Sequence, residues 1–260
     1  MPRSHLLVTI GLVLALAACQ GTTESIDLDS ILDSARAYLE SGNYEEAITT
    51  LEGIAEQAAG NSDVQFLLGQ AYNQSGELSK AADAFRKVLE LEPESAAAHH
   101  NLGVTYYQLQ DLRAAVDQFQ MALEIDPDDP DTHYQLGAAF LTLALAGSDP
   151  ASPPDEDLLE QATEEFEAAM ELRENMPEAL IGLGNVRLQE GDYDQAIGLL
   201  EEAIGAVPES REAHYALAGA LAQIGDIDAA CETYDQFLSL DPPETWRTQA
   251  EQTMMALGCD

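Results

Sequence analysis

The sequence predicts an all-α protein assembled from consecutive helix pairs, and three observations lead there. The first is composition: 46% of the 260 residues are hydrophobic but only 6% are aromatic, with Ala, Leu, Glu and Gln prominent. Such side chains lose little freedom in a helix. The second is a long-range period. Small residues recur at Ala47, Ala81, Ala115, Ala162, Ala196 and Ala230, in steps of 34, 34, 47, 34 and 34. The third is that three more series share this period. Leu68-Gly69, Leu102-Gly103, Leu136-Gly137, Leu183-Gly184 and Leu217-Ala218 form one, Tyr38, Tyr72, Tyr106 and Phe140 another, and Pro93, Pro127, Pro208 and Pro242 the last. Fixed periods of this length mark stacked supersecondary units that bury a continuous core together.

Six units follow: 28–61, 62–95, 96–129, 130–176, 177–210 and 211–244. In each, a first helix (A) carries Leu-Gly and an aromatic three residues later, as in Leu102, Gly103 and Tyr106. The small residue admits the neighbouring helix closely while the large ones fill the remaining space. Turns such as Ser41-Gly42-Asn43-Tyr44 and Glu190-Gly191-Asp192-Tyr193 stop helix A, Gly being the favoured residue past a helix end. A second helix (B) repeats small and large residues at helical spacing, as in Ala115, Phe119 and Ala122. Proline then closes helix B, because it cannot continue the hydrogen-bond ladder.

These residues resemble those that define the tetratricopeptide repeat, and the pattern covers 28–244. The resemblance implies a right-handed superhelix of six antiparallel helix pairs that binds other proteins. Unit 1 departs from the pattern, with Ser34-Ala35 in place of Leu-Gly and Ala59 in place of the closing proline. Terminal repeats are often atypical. Unit 4 carries an insertion at about 144–157, and Gly147-Ser148-Asp149-Pro150-Ala151-Ser152-Pro153-Pro154-Asp155 is loop-forming chemistry. A lengthened helix A, to about Ala146, and an exposed loop before helix B are expected. The insertion reads either as a tolerated surface loop or as a partner contact. Residues 245–260 read as an amphipathic helix capping the array.

The first residues read differently. Arg3 and the free amine precede an apolar run from Leu6 to Leu16, too short to span a bilayer, which takes about 20 residues as helix. A charged start, a short apolar core and small residues describe a secretory signal peptide over 1–18. Leu16-Ala17-Ala18-Cys19 resembles the lipobox of bacterial lipoproteins, which implies acylation of Cys19 as the mature N-terminus. Ordinary cleavage with Cys19 incidental is the other reading. Multiple acyl chains anchor stably without a transmembrane helix. The tether 19–27 reaches about 30 Å when extended, so the folded part is expected close to its membrane. In such lipoproteins Asp after the cysteine favours inner-membrane retention. Gln20 therefore points to the periplasmic face of the outer membrane in a two-membrane host, and otherwise to the outer face of the cell membrane. The six-repeat lipoprotein plan is similar to the pilotin lipoproteins of type IV pili.

Forty-eight acidic and 10 basic residues give a formal net charge of −38. Nucleic acid is excluded as a partner, since phosphate binding needs a basic footprint. The acidity reads either as a solvated surface or as attraction to a basic partner or divalent cations. No nucleophile elbow, phosphate-cradling Gly loop or His-Glu-Xaa-Xaa-His stands in the sequence, so neither catalysis nor a cofactor is expected. His99, His133 and His214 hold equivalent places in their units, too far apart to share a metal, and are expected to pack helix A on the preceding helix B.

Beyond Cys19 the chain has Cys231 and Cys259. A cap lying antiparallel on the last helix B brings them together, and export permits a disulfide contributing about 2–4 kcal/mol. Two buried free thiols are the alternative.

The repeat resemblance places partner contacts on the concave face lined by helix A. Carried over by register, the candidates are Phe66, Gln70, Asn73, His100, Tyr107, Tyr134, Asn185 and Tyr215. An apolar and aromatic floor with amide edges suits a peptide or helix laid in a groove. The Lys/Arg clamp of members that grip a C-terminal carboxylate is missing, Arg36 and Arg187 standing alone. Expected partners are other envelope proteins or peptides. The competing reading is an accessory lipoprotein that binds cations or substrate through its acidic surface.

Overall fold

The computed structural model describes residues 27–146 and 153–259. The signal peptide, the anchor Cys19, most of the tether and the middle of the insertion lie outside the described residues. Thirteen helices and no strands are found among the described residues. They run in pairs: α1 (Leu28–Glu40) with α2 (Tyr44–Glu52), α3 (Ser62–Ser75) with α4 (Leu78–Leu91), and α5 (Ala96–Gln108) with α6 (Leu112–Ile125). Next come α7 (Pro130–Ala146) with α8 (Glu156–Leu172), α9 (Pro177–Glu190) with α10 (Tyr193–Ala206), and α11 (Arg211–Ile224) with α12 (Ile227–Ser239). The last helix, α13 (Glu244–Leu257), has no pair.

Local chemistry sets these boundaries. Asn61, Ser95, Asp111, Asp155, Asp192, Ser210 and Asp226 each accept a backbone N–H of the first turn that follows, satisfying donors the helix leaves unpaired. Helix A stops where the backbone turns left-handed, at Gly76, Gly191 and Gly225. In the third unit the equivalent place holds Gln110, at φ 62°. A side chain there costs about 1 kcal/mol or more.

The core is one stripe continued through the array. Ala47, Ala81, Ala115, Ala162, Ala196 and Ala230 are all 0% exposed. Within a unit, the small residue of helix A faces a large residue of helix B. A Cβ added at Gly69 would lie 2.6 Å from the ring of Phe85, and one at Gly103 2.6 Å from Phe119. The glycines thus set the distance between paired helices. Two substitutions in unit 3 are expected to differ in sign in urea melts. Gly103→Ala destabilises by about 1–3 kcal/mol through overpacking, although Ala favours helix. Gln110→Gly stabilises by about 0.5–1 kcal/mol, because it relieves the left-handed position.

Each helix packs chiefly on its neighbours in sequence. In addition, α1, α3, α5, α7, α9 and α11 each touch the A helix of the adjacent unit, while consecutive B helices make no comparable contact. The array therefore curves with its A helices inside, and the chain is an all-α superhelix. Unit 1 differs in its second helix: α2 ends at Glu52, and the chain continues in turns to Gly60. Gly53 caps it early, while Ile54, only 7% exposed, still fills the core.

At the other end α13 packs on α12, with Ala250 fully buried against the cluster of Ala218, Tyr234 and Phe237. A disulfide joins Cys231 in α12 to Cys259, just past the Gly258 cap of α13, with Cα atoms 5.6 Å apart. The end of α13 therefore lies beside the start of α12.

Candidate functional site

On the inner, A-helix face, α5, α7, α9, α11 and α13 surround a cavity of about 420 Å³. Tyr107, Tyr134, Tyr215 and Trp246 give it aromatic walls, with Ile181 and Asn185 from α9 between them. Tyr107, Tyr134, Ile181 and Tyr215 come from successive A helices, so the repeat register itself converges them. Each wall is backed by packing. Tyr134 leans on Phe166, with ring centroids 6.0 Å apart. Tyr215 lies against Phe237 at 5.2 Å and Trp246 at 5.5 Å. The hydroxyl of Thr142 donates to the Ala138 carbonyl, so Tyr107 donates its own proton to Thr142, at 3.0 Å. Burial raises the pKa of Tyr134, and Glu178, Tyr107 and Glu212 push the same way. Burial also raises that of Tyr215. Both phenols therefore remain neutral donors at physiological pH.

The remaining candidates lie elsewhere. Gln70 and Asn73 line a separate hollow of about 360 Å³ with Tyr44. The Asn73 amide donates to Thr105 at 3.1 Å and to Gln108 at 3.0 Å, tying α3 to α5. Phe66 packs edge-on against Phe85 at 5.7 Å. His100 packs similarly against Phe119 and bonds Thr132 through Nδ1 at 2.6 Å, and Thr132 donates in turn to Asp129. His100 shares the register of Tyr134 and Tyr215, but its polar atom is engaged by the next unit.

Burial holds the His100 pKa below its ordinary 6.5, with Asp129 and Asp131 opposing. The folded state thus binds its proton more weakly than the unfolded chain does. The resulting stability is complete above about pH 6.5 and is lost as pH falls through the depressed value. Urea melts between pH 7.5 and pH 5 are expected to show this loss, and His100→Gln to remove its share.

Of the three equivalent histidines, His99 and His133 tie their helices to the preceding turn and to helix B, whereas His214 bonds within the start of its own helix. Nε2 of His99 meets the Pro93 carbonyl at 3.3 Å and Nδ1 meets Gln118 at 2.9 Å. His133 repeats this with the Pro127 carbonyl at 3.0 Å and Glu165 at 2.6 Å. His214 bonds the Ser210 carbonyl at 2.8 Å. No group of three or more His, Cys, Asp or Glu is placed to hold a metal among the described residues.

Among the cavity residues outside the candidates carried over by register, Trp246, Glu178 and Glu212 matter most for its chemistry. Trp246 comes from the cap, which reads in sequence only as a solvating end but here supplies a wall of the site. Glu178 and Glu212 line the same cavity from the first turns of α9 and α11, 34 residues apart. That spacing was a signal available in the sequence. In units 1 and 2, between α2, α3 and α4, a hollow of about 650 Å³ is lined by both lysines of the chain. There Lys80 pairs with Glu77 at 2.5 Å and sits 5.0 Å above the Tyr72 ring.

Sequence models of the tetratricopeptide repeat match residues 157–210 and 181–245, and another matches 23–71. A TPR repeat model matches 69–110 and 105–143. The chain belongs to the tetratricopeptide repeat family. No curated protein matches it significantly by sequence. Solved structures share the fold at low identity. PilF of Pseudomonas aeruginosa is 20% identical, with a TM-score of 0.68, over 86% of this chain and 96% of that one. TTC0263, a thermophilic TPR protein of Thermus thermophilus, is 21% identical, with a TM-score of 0.62, over 75% of this chain and 99% of that one. YrrB, described as a TPR protein with an unusual peptide-binding site, is 22% identical, with a TM-score of 0.56, over 78% and 97%. As a family member, the chain is an interaction protein with protein or peptide partners.

Proposed function

We propose that this protein is a lipid-anchored, non-catalytic scaffold of the bacterial cell envelope that binds a peptide or helix on its inner face. The observation that carries the reading is the convergence of Tyr107, Tyr134 and Tyr215, one per A helix, with Trp246 on a single cavity. Aromatic rings with protonated hydroxyls offer a large contact area at low entropic cost and still hydrogen-bond a backbone, which suits an extended or helical segment. A fold of the same kind that carries a described peptide-binding site supports it. The anchor rests on Leu16-Ala17-Ala18-Cys19, and the short tether 19–27 keeps the inner face near the membrane.

Metabolic labelling with a palmitate analogue, followed by fractionation, tests the anchor. Label and membrane association are expected in the natural chain, and both should be lost in Cys19→Ala. An unlabelled protein in the cytosol would overturn this reading. The competing use of the acidic surface is separated from it by melting in calcium. The scaffold reading expects no shift, whereas a rise of many degrees would favour cation binding.

A further inference from the structure

Glu178 and Glu212 occupy the same position in consecutive units, and Asp131 holds it in unit 4. Asp131 is neutralised by Arg173 through two hydrogen bonds, at 2.7 and 2.9 Å. No lysine or arginine forms an ion pair with Glu178 or Glu212 among the described residues, and both are exposed. Arg173 feels Glu178 through space but stays held on Asp131. Acids in a first helical turn favour the helix dipole, which accounts for their charge. The dipole does not account for both lining one aromatic cavity.

We infer that the cavity walled by Tyr107, Tyr134, Tyr215 and Trp246 takes a lysine or arginine side chain of an otherwise apolar partner segment, with Glu178 and Glu212 as its counter-charges. This rests on the proposed role of the inner face and adds the chemistry of the partner. An uncharged apolar segment laid there would strip water from two carboxylates and leave them unpaired, at a cost. A cation meets both needs, being attracted by the ring faces and neutralised by the acids. The chain already uses this arrangement once, where Lys80 lies over Tyr72 and pairs with Glu77. A net charge of −38 further steers basic segments toward the protein and acidic ones away.

Trp246 is the single tryptophan and stands in the cavity wall, so its fluorescence reports occupancy directly. The full chain in non-ionic detergent is titrated with the blocked peptide Ac-Leu-Lys-Ala-Leu-Arg-Leu-amide. Two counterparts carry Gln or Glu in place of Lys and Arg. A saturable Trp246 change is expected with the basic peptide. Binding should weaken about tenfold with the Gln peptide, and likewise in the double variant Glu178→Gln/Glu212→Gln. It should vanish with the Glu peptide, and Glu178→Lys/Glu212→Lys should reverse that preference. Equal binding of all three peptides, or a double Gln variant that binds the basic peptide unchanged, overturns the charge assignment and leaves the peptide-binding face standing. If no peptide of any charge perturbs Trp246, the proposed use of the inner face falls with it.

Discussion

Phe166→Ala is expected to lower the unfolding free energy by about 3–5 kcal/mol in urea melts, among the largest losses any single substitution should cause here. Phe166 is 1% exposed, and its ring sits between two A helices rather than beside one. A Cβ added at Gly137 of α7 would lie 2.9 Å from that ring, and one at Gly182 of α9 2.5 Å from it. The side chain therefore plugs the joint between units 4 and 5, from the helix that follows the insertion. Truncation leaves a void that two helices would have to close together, so the transfer loss and the cavity loss add. In a linear array each unit is supported only by its neighbours, so weakening this joint should also broaden the transition by separating the two halves. Phe166 backs Tyr134 as well, and the same variant should bind the basic peptide more weakly. A loss below about 1 kcal/mol would show that the joint is held by other contacts.

Removing the disulfide gives the second large effect. Replacing Cys231 and Cys259 by serine frees a 28-residue separation in the unfolded chain, worth about 3.6 kcal/mol on the chain-entropy account. The loss should concentrate at the end of the array, because α13 packs chiefly on α12, with Ala250 against the cluster of Ala218, Tyr234 and Phe237 and Trp246 against Tyr215 of α11. Reduction of the natural protein should therefore shift Trp246 emission to the red before the array melts, and should weaken peptide binding in parallel. The double serine variant should show the red-shifted emission from the outset and no response to reductant. An unchanged Trp246 signal on reduction would mean that the cap is held by packing alone.

The fold was legible because a repeat states its own packing rule six times. Ala47, Ala81 and their successors identify a buried stripe in sequence, and the step of 47 locates the interruption without any structural information. The register also shows which side chains share the inner face, but not which of them meet. His100, Tyr134 and Tyr215 hold one register position, yet Thr132 engages His100 while the two phenols open onto the cavity. That outcome depends on the rotation between successive units and on the neighbour each side chain finds, and neither is periodic. Trp246 was illegible for a related reason. A cap has no repeat to align with, so only its fold-back along α12 brings the ring to Tyr215. Glu178 and Glu212 were visible at the repeat spacing, but on a chain with 48 acidic residues their charge alone carried no information.

Photocrosslinking in cells tests the partner face most directly, with a benzoylphenylalanine placed singly at Leu188 or at Glu201. Leu188 lines the aromatic cavity, whereas Glu201 is exposed on α10, the B helix of the same unit. The predicted result is one discrete adduct from position 188, competed by the basic peptide and lost when Tyr134→Ala or Glu178→Gln/Glu212→Gln is added, with none from position 201. An adduct from 201 alone, or an adduct from 188 indifferent to the peptide and to both changes, would contradict a protein that works through its inner face.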